Sequence, residues 1–558
     1  MKNRARICLC QINTVVGDIE GNCKKIIEMT EKAGNKQADL VVFPELAVTG
    51  YPPEDLLLKP GFVKKNMDAL RKTAKKIKHP AVVAGFVNLK NGKIYNSAAF
   101  MSGGEIKTVY NKVLLPNYGV FDEKRYFVGG GRIRIIKING VTAGISICED
   151  IWQDNELIKK YKGKTDILIN ISASPYHKGK SKERFRLFSA RAKELETVIY
   201  YVNQVGGQDE LVFDGHSMVI NQRGKLAGQG PMFRECMLYF DAYSGKKDKK
   251  NARPDICVNF KSKKRIRKLA GYKFEKLSPE WEVYTALVVG TRDYIIKNGF
   301  KKAVIALSGG VDSAAVAAIA CDAIGPENVT LVYMPSKFSS RGSYVDSKKI
   351  SENLGAVLHV IPMQDIVDLY SAKLKPFFFG IKPGVAEENI QARIRGNIIM
   401  AFSNKFGSIV LTTGNKSEMS TGYATLYGDM AGGFAVLKDV PKTLVYSICR
   451  ERNKKAGFDI IPESILKKPP SAELRLNQKD TDSLPPYSVL DRIINDYVEK
   501  DRTYGNMKHK YNSAMLKRIL ELIDSSEYKR RQAPPGIKIT PKAFGRDRRM
   551  PIINKFRD

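Results

Sequence analysis

The chain is predicted to be an α/β protein in two parts, an N-terminal α/β sandwich and a C-terminal doubly wound sheet of parallel strands. Three observations lead there. Residues 1 to about 240 alternate apolar, strand-like runs with helical segments. From about residue 300 a second series of strand–helix repeats begins, the pattern of a parallel sheet covered on both faces. Between them, from Phe240 to Leu277, the pattern dissolves into Lys, Ser, Gly and Asn with isolated apolar positions. At 558 residues the chain has room for two or more hydrophobic cores.

Taken in order, ADLVVFPEL, PAVVAGFV, VTAGISICED, TDILINISAS and TVIYYVNQ each read as a buried strand ending in a polar or small residue. In NLKNGKIYN the Asn-Gly pair predicts a tight hairpin. The first part is expected to span 1–265, its last strand giving way to a linker from about 241. Helical periodicity resumes at PEWEVYTALVVGTRDYIIKNGF, and the second part spans 278–558. Its strand candidates are KKAVIALS, NVTLVYMPS, AVLHVIPM and GSIVLTTG. From about Lys467 the sequence is rich in Pro, Lys and Arg, a tail expected to gain order by docking.

Hydrophobic residues make up 43% and charged residues 27%, a globular balance. The N-terminus, MKNRARICLCQIN, lacks the apolar stretch of a signal peptide, and no apolar run reaches membrane-spanning length. A cytoplasmic enzyme is therefore expected. The eight cysteines are scattered without a C-x-x-C pair, and Cys8 and Cys10 share one face of a strand. The five histidines are equally dispersed, so neither a zinc site nor a histidine-based triad is indicated. The net charge of +35 attracts anions, and much of it sits in KKDKKNARPDICVNFKSKKRIRK. With no basic–aromatic interleaving and no RNA-module signature, it reads as a solvated basic surface, and nucleic acid is not an expected partner. The rival from another class, a basic RNA-binding or RNA-modifying protein, predicts tight binding with a steep salt dependence.

In VIALSGGVDSAAVAAIA an apolar strand enters a glycine turn and an alanine-rich helix. Gly309 and Gly310 let backbone N–H groups approach a pyrophosphate at a helix N-terminus, and Ser308 and Ser313 add hydroxyl donors. The lysine of the usual triphosphate loop is missing. Asp312 would repel phosphate unless a cation lies between them, which points to a Mg²⁺ ligand. Downstream, TTGNKSE follows another strand, and Glu418 could complete the Mg²⁺ site. Asp429 in the YGD turn and Lys442 in DVPKTLV belong to the same strand ends, where Lys442 could neutralise developing charge.

In the first part, FPELAVTGYPPEDLL, YNKVLLPNYGVFDEKRYF and ISICEDIW place Glu45, Lys112 and Cys148 near strand ends. Cys148 is a candidate nucleophile, with Glu45 to take the thiol proton and Lys112 to stabilise an oxyanion.

Two resemblances follow from these motifs. The order and context of Glu45, Lys112 and Cys148 resemble the Glu-Lys-Cys triad of the nitrilase superfamily, implying an αββα sandwich and amide hydrolysis. The resemblance implies that Glu123 is a second, assisting glutamate, and that Tyr118 and Ser174 contact L-glutamine. The SGGxDS loop resembles that of ATP pyrophosphatase-type synthetases, whose fold is adenine nucleotide alpha hydrolase-like. Together with TTGNKSEMSTGYATLYGDMAGG, KPPSAELRLNQKDTDSLPPYSVLD and KRRQAPPGIKITPKAFGRDRRMPI, it makes the chain similar to the glutamine-dependent NAD⁺ synthetases. In that family ATP adenylates deamido-NAD⁺, and ammonia from glutamine displaces AMP to give NAD⁺. The resemblance implies ATP contacts at Ser308, Gly309, Gly310, Asp312, Ser313, Thr413 and Lys442. It implies deamido-NAD contacts at Asn389, Arg393, Arg395, Glu418, Asp429 and Lys542, with Mg²⁺ at Asp312 and Glu418. A homo-oligomer and an ammonia tunnel are further family expectations. The alternative within enzymes is another glutamine-dependent synthetase with the same loop, acting on a different acid.

Overall fold

Strand Arg4–Gln11 shows how the first part is layered: Ile7 and Leu9 point into one core and Cys8 and Cys10 into another, all four buried. The computed structural model describes residues 3–245, 253–260, 276–476 and 478–556. Most of the predicted linker and its basic run, residues 246–252 and 261–275, lie outside the described residues. The chain divides into two units, Met1–Gln208 with Val212–Lys276, and Asp209–Leu211 with Leu277–Asp558.

In the first unit a six-stranded sheet runs in the order Cys236–Tyr243, Arg4–Gln11, Leu40–Val42, Ala81–Lys90, Lys93–Ser102, Glu105–Asn111. Asn91 and Gly92 make the two-residue hairpin turn, with Lys90 opposite Lys93 and both turn residues at positive φ. A seven-stranded sheet runs in the order Leu226–Gln229, Met218–Ile220, Val198–Asn203, Ile167–Ser172, Val141–Ile147, Ile135–Ile138, Ile256–Val258. One core lies between the two sheets, joining Ile7, Leu9 and Val83 to Ile145, Ile169 and Val202. A second joins Cys8, Cys10 and Val82 to helices Ile19–Asn35 and Pro60–Lys76, and a third joins Leu168 and Ile199 to Phe188 of helix Lys180–Glu194. Strands buried on both faces read as continuous apolar runs rather than alternating ones, which is how these appear in the sequence. The unit is an αββα sandwich.

In the second unit five parallel strands lie in the order Val357–Val360, Val329–Tyr333, Ala303–Ala306, Ile409–Thr412, Phe434–Ala435. The chain order reverses between Ala303–Ala306 and Ile409–Thr412, so a crevice opens at the C-terminal ends of these two strands. The C-terminal stretch departs from expectation. Rather than a tail ordered by docking, it carries helices Tyr487–Ile494 and Ser513–Ser525 around their own core of Leu490, Ile493, Val498, Leu516, Ile519 and Ile523. Leu490, Ile493, Ile494 and Val498 recur at helical spacing. The surrounding Pro, Lys and Arg hide that stripe in a reading by composition.

Candidate active sites

Glu45, Lys112 and Cys148 meet because each follows a strand end on the same edge of the sandwich, after Leu40–Val42, Glu105–Asn111 and Val141–Ile147. Glu45 can sit there because strand residue 85 is glycine: a Cβ at Gly85 would come within 2.2 Å of Leu46 N and 2.6 Å of Glu45 C. The Lys112 ammonium is fully enclosed, 2.7 Å from Glu45 Oε1 and 2.8 Å from Glu123 Oε1. Asn96 Nδ2 donates to Glu45 Oε1 at 2.7 Å, and Ala173 N donates to Glu45 Oε2 at 2.9 Å. Cys148 opens a single helical turn, Cys148–Ile151, with φ +41°, a strained conformation for a side-chain-bearing residue that marks functional turns.

The electrostatics follow from burial. Desolvation and the Glu45 carboxylate push the Cys148 thiol well above its ordinary pKa, against the pull of Lys112, so the resting sulfur keeps its proton and needs a base. Burial disfavours the Lys112 ammonium, but Glu123 and Glu45 outweigh it and hold its pKa well above the usual range. Burial also lifts Glu123 to about 7, with Lys112 working the other way and Glu45 adding to the rise. Two carboxyls, Glu45 and Glu123, share this one ammonium.

Tyr118 and Ser174 flank this centre. The Tyr118 hydroxyl donates to Glu149 Oε2 at 3.0 Å, and Ser174 N donates to Asn203 Oδ1 at 2.8 Å. Four residues absent from the sequence reading stand out. Asn96 orders the two glutamates. Glu149 and Lys180 act electrostatically on Cys148, and Lys180 lies 3.9 Å above the Trp152 ring centroid. Asp150 is buried and accepts from Val113 N and Leu114 N at 2.9 Å, Ile147 N at 3.0 Å and the Tyr110 hydroxyl at 2.8 Å. It thereby joins the chain after Lys112 to the turn that carries Cys148. The only local signal for Asp150 was its place in CEDI. Asp150→Asn replaces one acceptor with a donor facing N–H groups, and should lower glutamine turnover by about 10²-fold through misplacement of the thiol. Steady-state glutamate release checks this, and turnover within threefold of wild type would refute it.

The second centre occupies the crevice in the parallel sheet. The loop from Ser308 enters helix Val311–Ile324, with Gly310 N donating to Ser308 Oγ at 3.3 Å and Ser313 Oγ donating to Gly310 O at 3.1 Å. Gly309 has φ +75°, and a Cβ there would lie 2.5 Å from Ser343 O. Asp312 and Glu418 converge on Lys442: its ammonium is ion-paired with Asp312 Oδ2 and lies 3.2 Å from Glu418 Oε1. Asn415 braces both acids, its Nδ2 donating to Asp312 Oδ1 at 3.0 Å and its N–H to Glu418 Oε2 at 3.3 Å. Burial raises Glu418 to about 8, against Lys442 and with Asp312. Burial opposes the Lys442 charge, yet Asp312 and Glu418 raise its pKa above the ordinary value.

These groups border a cavity of about 590 Å³. Ser308, Gly310, Ser313, Thr413, Asn389, Arg395 and Asp429 also line it. Gly309 sits in the loop behind. Arg393 instead lines a neighbouring cavity of about 540 Å³, its Nε donating to Leu426 O at 3.2 Å. Lys542 is outside both, paired with Asp501 at 2.5 Å. Two carboxylates from separate elements, already converging on one cation beside an open cavity, suit Mg²⁺, which takes one or two carboxylates and completes its shell with phosphate and water. Among the described residues no cluster of three or more His, Cys, Asp or Glu is placed to hold a metal.

Fold and geometry thus define a two-centre α/β protein: a buried Glu-Lys-Cys centre on one unit and, on the other, a glycine-turn crevice lined by Asp312, Glu418 and Lys442. Comparison agrees unit by unit. The carbon-nitrogen hydrolase family model matches residues 6–242, and the NAD synthase model matches residues 283–533. The glutamine-dependent NAD(+) synthetase of Thermotoga maritima is 45% identical, covering 100% of this chain and 99% of that one. Its counterpart in Acinetobacter baylyi is 42% identical over 99% of each chain. The structure of the Acinetobacter baumannii glutamine-dependent NAD⁺ synthetase in complex with ADP superposes with a TM-score of 0.77 at 40% identity, covering 99% of each chain. The chain belongs to the glutamine-dependent NAD⁺ synthetase family.

Proposed function

We propose that the chain hydrolyses L-glutamine at Cys148 and uses the ammonia to convert ATP and deamido-NAD⁺ into NAD⁺, AMP and pyrophosphate. The observation that carries this reading is the presence, in one chain, of a buried Cys148–Glu45–Lys112 centre and a pyrophosphate-type loop facing Asp312, Glu418 and Lys442. Residues 1–265 would form the glutaminase and 278–558 the synthetase.

At the first centre Glu45 takes the Cys148 proton as the sulfur attacks the glutamine side-chain amide, and Lys112 stabilises the oxyanion. The proton returns to the leaving ammonia, and water then hydrolyses the glutamyl thioester. Glu149 and Lys180 offer opposite charges for the α-ammonium and α-carboxylate of the substrate, with the Tyr118 hydroxyl beside Glu149. At the second centre the Ser308–Ser313 loop receives the pyrophosphate that departs when the nicotinate carboxylate is adenylated. Asp312 and Glu418 would hold Mg²⁺, which when bound supplies charge neutralisation to the phosphates. Lys442 would then balance charge on the transferring group, and Asn389, Arg395 and Asp429 line the space for deamido-NAD⁺. Ammonia protonates readily in water, so a shielded route to the adenylate is part of the proposal, as are a homo-oligomeric assembly and a cytoplasmic setting. No helix among the described residues is long and apolar enough to cross a membrane.

The test is NAD⁺, AMP and pyrophosphate release from ATP and deamido-NAD⁺, with glutamine or ammonium, against other carboxylic acids. Absence of turnover with both nitrogen sources would overturn the reading. A pH dependence is also expected. Glu123 is a raised acid, protonated below about 7 and ionised above it, so glutamine hydrolysis should rise with pH through about 7. Glu123→Gln should flatten that limb; an unchanged limb in a rate profile from pH 5.5 to about 8.5 would refute its assignment.

A further inference from the structure

Lys416 is fully buried in the second unit, at the start of helix Lys416–Thr421, which carries Glu418. Its ammonium lies 2.8 Å from both Asp439 Oδ1 and Glu499 Oε1. It donates to Thr540 Oγ1 at 2.7 Å and to the carbonyl of Lys542 at 3.2 Å. A lysine is almost never fully buried unless paired, and a buried ion pair is weak ground for stability as such. What distinguishes this ammonium is that, besides the segment of Glu499, it joins three others.

The first segment is the helix of Glu418. The second runs from Asp439 to Lys442: Lys416 N donates to Val440 O at 3.0 Å, and Lys442 N donates to Ser417 Oγ at 2.9 Å. The third is residues 539–542, which Asp439 also holds by accepting from Ile539 N at 2.8 Å and from Thr540 N at 2.7 Å. Glu418 and Lys442, which line the cavity, are thus referenced to a single buried charge that is not itself among the lining residues. We propose that Lys416 is a positioning residue of the synthetase centre. It holds Glu418, Lys442 and the 539–542 segment in one geometry, so that its loss slows the chemical step more than it weakens ATP binding. The inference rests on the synthetase reading of this centre.

The experiment uses the full chain. Lys416→Met alone would leave Glu499 buried without its cation, so the variant is Lys416→Met/Glu499→Gln. Asp439 keeps its donors from Ile539, Thr540 N and Thr540 Oγ1, and position 499 keeps Asn495 Nδ2 at 3.2 Å. Ammonium-supported kcat is expected to fall by about 30-fold or more while the KM for ATP moves by less than about threefold. Glutamine hydrolysis, catalysed by the other unit, should stay within about twofold, while the retained KM for ATP reports that the second unit has folded. Thr540→Val removes one partner of the ammonium without changing side-chain size; it should cost about five- to tenfold in kcat, and Thr540→Ser should restore it. If the double variant fails to fold, the Thr540 pair decides. A kcat within about threefold of wild type in the folded double variant, or in Thr540→Val, overturns the inference, as does a fall carried wholly by KM. Wild-type chain that makes no NAD⁺ in the parallel assay overturns the synthetase reading instead.

Discussion

Cys148→Ala is expected to abolish glutamine-supported NAD⁺ formation and leave ammonium-supported formation intact. The thiol sits where desolvation and Glu45 keep it protonated, and Lys112 and Asn96 both donate to Glu45. Removing the nucleophile leaves no alternative sulfur, since an alanine cannot form the thioester. The loss should be at least about 10⁴-fold in glutamine-dependent turnover. With ammonium the second centre receives its nucleophile from solution, and the rate should match wild type within about twofold. Parallel assays with the two nitrogen sources measure both. Loss of both activities in a folded variant would refute the separation of the two centres.

Asp312→Asn should impair synthesis with either nitrogen source, by about 10²-fold or more, because it acts before ammonia is used. Asp312 and Glu418 share the Lys442 ammonium, and Asn415 donates to both acids. The amide keeps the shape of the carboxylate but loses its charge, so it pairs poorly with Lys442 and binds Mg²⁺ weakly. Glutamine hydrolysis without deamido-NAD⁺ should be unaffected. AMP release at increasing Mg²⁺ is the measurement; near-normal rates at saturating Mg²⁺ would count against Asp312 as a ligand.

Much of this architecture was legible in the sequence. Strands buried on both faces must be continuously apolar, so ADLVVFPEL, TDILINIS and KKAVIALS announced themselves, and the Asn-Gly turn predicted its hairpin. Asp312 stood out for a different reason: an acid in a glycine turn at a helix start calls for a cation beside it, and the structure places the Lys442 ammonium there. The helical core near the C-terminus was not legible by composition, because its apolar stripe is diluted by Lys, Arg and Pro on the exposed faces.

The sequence by itself determined which residue types stand at strand ends, and hence which chemistries are available to each unit. Tertiary structure decided which of them meet. Asp312 and Asn415 are 103 positions apart and bond at 3.0 Å because the strand order reverses between the strands that carry them. Of the three basic residues expected near deamido-NAD, Lys542 lines neither cavity, Arg395 faces the main one and Arg393, two positions earlier on the same helix, faces the neighbouring one, since two residues on a helix turn about 200°. Lys416 carries no local signature of its role, and Asp150 none beyond its place in CEDI. Each acts through partners distant in sequence, and a buried charge acquires its function from the groups that the fold closes around it.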